Sequence, residues 1–318
     1  MVLGDIHAPS DTTWIGIGTW ISFNQISGLT IDGSGTINGM GKVWWDTSCK
    51  RHPELLISLA GCNNLSLKDF KLVNGPRNHL AITGSKGLTI SHLTITAAGD
   101  SPNTDGIDIT QSNNVIIENC TIGTGDDCIA LGNSMSNVNI TGVACGPGHG
   151  ISIGSLGKDS ARATVEQIHG GSGYARGITF NNITLTSTAN PIIIDQFYCD
   201  NNKPCGISSS AVEVSDVRFT NVKGTVQLDG SNTQVGIRLN CSATVPCKNI
   251  IVDDVQITST DPKVQVTSIC SNAQVINTCT NCIPNLNCAM GSTSESFIQM
   301  PIMSDDNDSD SDYLHMEL

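Results

Sequence analysis

Asn114-Val115-Ile116-Ile117-Glu118-Asn119-Cys120-Thr121-Ile122-Gly123-Thr124-Gly125-Asp126-Asp127-Cys128 reads as two short strands followed by a turn. Val115 and Ile117 alternate with their neighbours, and a second short run, Cys120-Thr121-Ile122, follows at once. β-branched residues in period two, bounded by Gly, Asn or Ser, signal strands rather than helix. The same signal recurs in Gly28-Leu29-Thr30-Ile31, Asn64-Leu65-Ser66-Leu67, Gly87-Leu88-Thr89-Ile90, Asn137-Val138-Asn139-Ile140, Gly177-Ile178-Thr179-Phe180 and Asn249-Ile250-Ile251-Val252. Second runs recur too, as Leu93-Thr94-Ile95, Ile183-Thr184-Leu185 and Val255-Gln256-Ile257. From Leu65 the steps to Leu88, Val115 and Val138 are 23, 27 and 23 residues, too long for hairpins and without an amphipathic helical pattern between them. Repeats of that length made only of strands and turns predict an all-β parallel solenoid with two or three strands per coil, each coil burying its inward residues against its neighbours. Coils stacked about 4.8 Å apart bring side chains one repeat apart into contact.

Composition agrees. The chain has 318 residues, 38% apolar and 14% charged, with 32 glycines to supply turns. A usual domain is about a quarter charged, so there is ample core material and little surface charge. The formal net charge of −13 argues against nucleic-acid binding, which needs Lys and Arg to neutralise phosphates. No segment approaches the ~18 uninterrupted apolar residues of a membrane span. Between Ser304 and Asp312 lie five aspartates in nine residues, without the Gly and terminal Glu of an EF-hand loop. Residues 291–318 are therefore expected to form a solvated tail outside a folded unit of residues 1–290.

Thirteen cysteines predict an oxidising compartment. Cys199/Cys205 and Cys241/Cys247 are spaced for local pairs, and Cys128 and Cys145 could join neighbouring coils. Cys279, Cys282 and Cys288 could suggest zinc with Cys270, but no His lies near them, and disulfides are the expectation. An odd total leaves at least one thiol unpaired. Sequons at Asn64, Asn119, Asn139, Asn182, Asn240 and Asn307 permit glycosylation on a secretory route. A signal peptide is absent from the sequence, and Met1 runs directly into a stretch resembling a domain interior, so a truncated N-terminus is expected.

Three motifs carry the chemistry: Ser101-Pro102-Asn103-Thr104-Asp105-Gly106, Gly125-Asp126-Asp127-Cys128 and Gly148-His149-Gly150. Asp105 and Asp126 are 21 residues apart, and Asp127 and His149 are 22 apart. Each motif alone is an ordinary turn. Their order at one-coil spacing instead converges three carboxylates and an imidazole on one patch. Three such aspartates repel one another when ionised, so at least one should hold a proton near neutrality. A protonated carboxyl beside an ionised one is the acid and base pair of glycoside hydrolysis, and the inverting version needs carboxyls ~6.5–9.5 Å apart. His149 would tune or hold the group. Gly148 and Gly150 would leave open space for a polymer chain to approach.

With these residues the chain resembles the plant-type polygalacturonases, pectin-cleaving glycoside hydrolases built on a right-handed single-stranded parallel β-helix. The resemblance runs from about Val2 to about Cys288. It includes Trp44-Trp45-Asp46, the two aspartate motifs, the uninterrupted run from Cys145 to Gly157, and Asn190-Pro191-Ile192-Ile193-Ile194-Asp195-Gln196-Phe197-Tyr198-Cys199. It implies Asp126 as the general acid, Asp105 and Asp127 as the groups activating the attacking water, and His149 as support for the acid. Asn103, Gly150 and Tyr198 are the expected substrate contacts. The implied substrate is the de-esterified homogalacturonan of pectin, cleaved by a secreted monomer in the cell wall. No metal or organic cofactor is implied.

One departure from the family pattern stands out. Polygalacturonases carry an Arg-Ile-Lys motif between the Gly-His-Gly loop and the Asn-Pro-Ile-Ile-Ile-Asp-Gln strand, and that tripeptide is absent here. Val138 to Ile178 spans 40 residues, so about one coil is expected to be missing near 168–170. Loss of a whole repeat leaves a solenoid foldable, whereas loss of a fraction turns an inward strand to the wrong face. The lost Arg and Lys would also have gripped substrate carboxylates. The expectation is therefore a polygalacturonase with weakened substrate capture, and the alternative is a non-catalytic β-helix that binds pectin or a partner.

Overall fold

The computed structural model describes residues 1–10, 14, 16, 18–46, 54–154, 173–197, 212–277 and 282–288. The coil near 168–170, the Cys199/Cys205 pair, Tyr198 and the acidic tail lie outside the described residues. Within them the chain is a parallel β-helix. Three ladders run its length, and a regular coil contributes one strand to each. The first contains Leu55–Ala60, Leu80–Thr83, Ile107–Thr110, Asp127–Leu131 and Gly148–Ile153, and continues into the end of the long strand Tyr174–Asp195. The second contains Asn63–Lys68, Lys86–Ser91, Asn113–Glu118 and Met135–Thr141, and the third Lys71–Val73, Thr94–Thr96 and Thr121–Gly123. Pairing between successive coils is parallel in all three ladders.

The repeat step inferred from the sequence is the physical step of the coil. Leu65 pairs in register with Leu88, Leu88 with Val115, Val115 with Val138, and Val138 with Ile178. The stack beside it runs Leu67, Ile90, Ile117, Ile140, Phe180, Phe219 and Val252, all buried. Phe180 and Phe219 lie face to face with ring centroids 4.8 Å apart. The 40-residue interval is thus a single coil with inward faces preserved, because Ile178 sits on Val138 and Ile192 and Ile194 sit on Ile151 and Ile153.

The Asn and Gly residues heading each run have a backbone reason. Asn64, Gly87, Asn114, Asn137, Gly177, Asp216 and Asn249 hold equivalent corners of the second ladder, all at φ between 52° and 72°. That left-handed region is open to Gly and tolerated by Asn and Asp. The side-chain amide of Asn137 donates to Asn114 one coil below at 3.1 Å, so the corner also bonds along the stack.

Disulfides join Cys128 to Cys145, Cys241 to Cys247 and Cys270 to Cys288. The first two are the pairs expected from spacing, and the third, with Cys282 also disulfide-bonded, excludes the zinc alternative. Cys62 and Cys120 are buried free thiols.

Candidate active site

Asp105 precedes the strand Ile107–Thr110, Asp126 precedes and Asp127 opens the next strand of the same ladder, and His149 is the second residue of the one after. Backbone bonds stitch these positions together across the coils. His79 N–H donates to Asp105 O at 2.8 Å, Gly106 N–H to Asp127 O at 2.8 Å, and His149 N–H to Asp126 O at 2.9 Å. The register slips by one residue between Asp127 and Ile129 against Gly150 and Ile151. A bulge of this kind re-aims side chains, and here it follows directly on the two consecutive aspartates.

The turn carrying them is fixed from below. Thr104, fully buried, accepts the Gly125 N–H on its hydroxyl at 3.1 Å and donates to Ser101 O at 3.0 Å. A Cβ on Gly125 would stand 2.0 Å from Ser101 O, so only glycine lets the two motifs approach. Gly148 and Gly150 have the same explanation. Their Cβ positions would fall 2.5 Å from Asp126 O and 2.2 Å from Asn190 O, at φ of 144° and 117°. The open space expected beside them is filled by the neighbouring coils. Gly150 has only its backbone to offer a polymer.

Asp126 Oδ1 receives His149 Nδ1 at 2.8 Å and the Asp127 N–H at 2.8 Å, while Asn103 Nδ2 donates to Oδ2 at 3.2 Å. Asp127 Oδ2 accepts the Ser152 hydroxyl at 2.6 Å. Burial pushes Asp126 up, but its bond to His149, the imidazolium charge and the donors from Asp127 and Asn103 outweigh that and hold it below the ordinary carboxylate value. His149 is raised, first by that hydrogen bond. Asp127 is pushed up to about 7 by burial and by the charge of Asp126. Burial and the surrounding aspartates raise Asp105 well above its usual value. Near neutrality the cluster therefore mixes ionised and protonated carboxyls, with Asp126 on the ionised side. In so tightly coupled a group the protons belong to the cluster as a whole.

One ligand atom each from Asp126, Asp127 and His149 lies within 4.8 Å of the others, a spacing that a cation could bridge. The His149 nitrogen, however, is already committed to Asp126. The set is built for sharing protons.

The structure thus gathers Asn103, Asp105, Asp126, Asp127 and His149 at one trench, and it sets Gly150 on the rung beside Asp127. It adds residues that the motifs did not reveal. Asp108 faces outward between Ala81 and Ala130 and accepts the side-chain amide of Asn78. Burial pushes it to about 6, against the pull of Arg77 and of hydrogen bonds from Asp105 and Asn78. His79, fully buried, accepts the Gly75 N–H on Nε2 at 3.0 Å and contacts Asp105 O with Nδ1 at 3.1 Å. Burial lowers it to about 4, so it is a neutral strut beneath Asp105. The period-two pattern marks Asp108 and Ser152 as outward but says nothing of what they face. No motif points to Asn78 or His79.

Comparison with known proteins bears on the family and the architecture. A probable polygalacturonase of Arabidopsis thaliana is 44% identical over 314 residues, covering 92% of this chain and 67% of its own length. A polygalacturonase of Persea americana is 39% identical over 291 residues, covering 82% and 62%. The chain spans 54% to 67% of the length of such curated relatives. Among solved structures, the polygalacturonase of Erwinia carotovora superposes with a TM-score of 0.61 at 21% identity, over 83% of this chain and 81% of that one. The endo-xylogalacturonan hydrolase of Aspergillus tubingensis gives 0.67 at 21% identity, over 92% and 85%. These likenesses identify the architecture as the right-handed parallel β-helix. Residues 3–169 and 165–281 match the description "Glycosyl hydrolases family 28". With nearly the whole described solenoid inside that match, the chain belongs to glycosyl hydrolases family 28.

Proposed function

We propose that the chain hydrolyses the α-1,4-galacturonosyl bonds of homogalacturonan with inversion of configuration. The observation that carries this reading is the convergence of Asp105, Asp126, Asp127 and His149 at the head of one ladder, with protonated and ionised carboxyls side by side. Asp126 delivers a proton to the leaving oxygen, drawing on the proton it shares with His149. An arriving galacturonate carboxylate raises the affinity of the whole cluster for protons and so moves that shared proton towards Asp126. Asp105 and Asp127 hold the attacking water, and Asp127, which titrates at about 7, takes its proton in the ionised form as the bond to the anomeric carbon forms. The protein acts as a secreted monomer on cell-wall pectin. Its cysteine pairing supports an oxidising compartment.

The test is reducing-end release from polygalacturonate by the protein and by Asp126→Asn. The substitution keeps shape and one acceptor oxygen but cannot protonate a leaving group, so turnover should fall by about 10²–10⁴-fold with binding retained. Release that is undiminished in the variant, or absent from the parent, defeats the reading. Absent release with binding retained would support a binding protein instead.

A further inference from the structure

A polyanion approaching a trench lined by four carboxylates needs a cationic group inside it, because the net charge of −13 gives no attraction from a distance. The sequence lacks the Arg-Ile-Lys tripeptide, and most described cations are occupied or remote. Lys42, Lys68 and Lys223 pair with Asp46, Asp32 and Asp254. Arg176 lies over the Tyr174 ring at 4.4 Å. Arg218 is exposed on the second ladder.

Arg77 differs from all of these. It is half-buried, its charge acts on Asp108, and its guanidinium makes no hydrogen bond or ion pair among the described residues. Its backbone is held on both sides. Before it, Pro76 is buried and Gly75 O accepts the Trp45 indole N–H at 3.0 Å. After it, Asn78 donates its side-chain amide to Asp108, and its carbonyl accepts the Leu56 N–H at 3.1 Å. His79 then ties Gly75 N–H to the Asp105 carbonyl. Arg77 therefore stands one rung, about 4.8 Å, to the N-terminal side of the Asp105 rung on an anchored segment.

We propose that Arg77 is the cationic grip of this trench, holding the carboxylate of the sugar unit bound one rung to the N-terminal side of the catalytic aspartates. The proposal rests on the galacturonan reading for the identity of that sugar. A planar guanidinium offers two parallel donors to a carboxylate, and a half-buried one loses less to solvent than a surface lysine. Methyl esterification removes the anionic partner, so Arg77 also selects de-esterified units.

The test is calorimetric titration of trigalacturonate, and of its methyl ester, into Asp126→Asn protein with and without Arg77→Gln. Binding of the acid should weaken at least 10-fold on Arg77→Gln, binding of the ester should be unchanged, and Arg77→Lys should restore part of the loss. Arg218→Gln, on another ladder, should change neither. Thermal melts of each variant confirm the fold, and if Arg77→Gln melts early, Arg77→Lys decides by a smaller loss confined to the acid. Equal affinity for the acid in Arg77→Gln and its parent, an equal loss for both ligands, or no binding of the acid by the parent overturns the proposal. Because binding is read without turnover, an inactive protein with Arg77-dependent affinity sinks the hydrolase reading alone. An active one indifferent to Arg77 sinks this inference alone.

Discussion

Asp127 shows how function and stability oppose each other at a single residue. Its folded value, about 7, lies above the ordinary carboxylate value of 3.8, chiefly because it is buried and beside Asp126. The folded state thus binds a proton that the unfolded chain has released, and the resulting stability, complete below the unfolded value, is lost as pH rises through about 7. Asp127→Asn removes this dependence while keeping an acceptor for Ser152. The variant should melt higher than the parent at pH 8, with the advantage shrinking towards pH 4, and it should be inactive at both. Thermal melts at the two pH values check this; a variant less stable at pH 8 would show that the raised proton affinity is misassigned. The general acid draws instead on the proton that His149 shares with Asp126, and the His149 imidazole is held above its ordinary value. Loss of that proton predicts that kcat/KM on polygalacturonate falls on the alkaline side. Initial rates from pH 4 to pH 9 read that limb directly.

At the level of the element, the turn Gly125-Asp126-Asp127-Cys128 is held by a glycine that admits the Ser101 carbonyl, by the Thr104 hydroxyl and by the bond from Cys128 to Cys145. That disulfide closes 17 residues of chain across adjacent coils. A loop of this length constrains the unfolded chain by about 3 kcal/mol. Replacing both cysteines by serine should lower unfolding free energy by about that amount in urea titrations. Because Cys128 directly follows Asp127, the change should also lower kcat more than it raises KM. A loss of stability with kcat intact would mean that Thr104 and the glycines alone position the aspartates.

Across the whole molecule, stability is a sum over stacked coils, each contacting only its neighbours. Ile117 and Ile116 are adjacent on one strand but face opposite ways, the first fully buried between Ile90 and Ile140, the second 43% exposed. Ile117→Ala should cost about 2–5 kcal/mol by opening a cavity that spans three coils. Ile116→Ala should stay within about 0.5 kcal/mol. Denaturant titrations of the pair test the inward assignment of the ladder, and equal costs would refute it. The same nearest-neighbour packing holds at the ends of the 40-residue interval. Where Ile178 meets Val138, a coil still finds a matching inward face.

The coil was legible in the sequence because period-two alternation and αL-tolerant Asn and Gly are local properties that repeat at each turn. The steps from Leu65 to Leu88, Val115 and Val138 are the pairings of the second ladder. Asp105, Asp126, Asp127 and His149 were legible for the same reason, since residues one coil apart must stack. What each outward side chain faces is decided across rungs and at bulges, and no periodicity encodes it. Only the fold put Asp108 between two alanines beside Asn78, drove His79 neutral beneath Asp105 and set Arg77 by the acid cluster without an ion pair among the described residues. Only the fold made Asp126 the ionised partner of His149, because proton affinity follows burial and neighbouring charge. Sequence determined the ladder; packing between its rungs decided the charges.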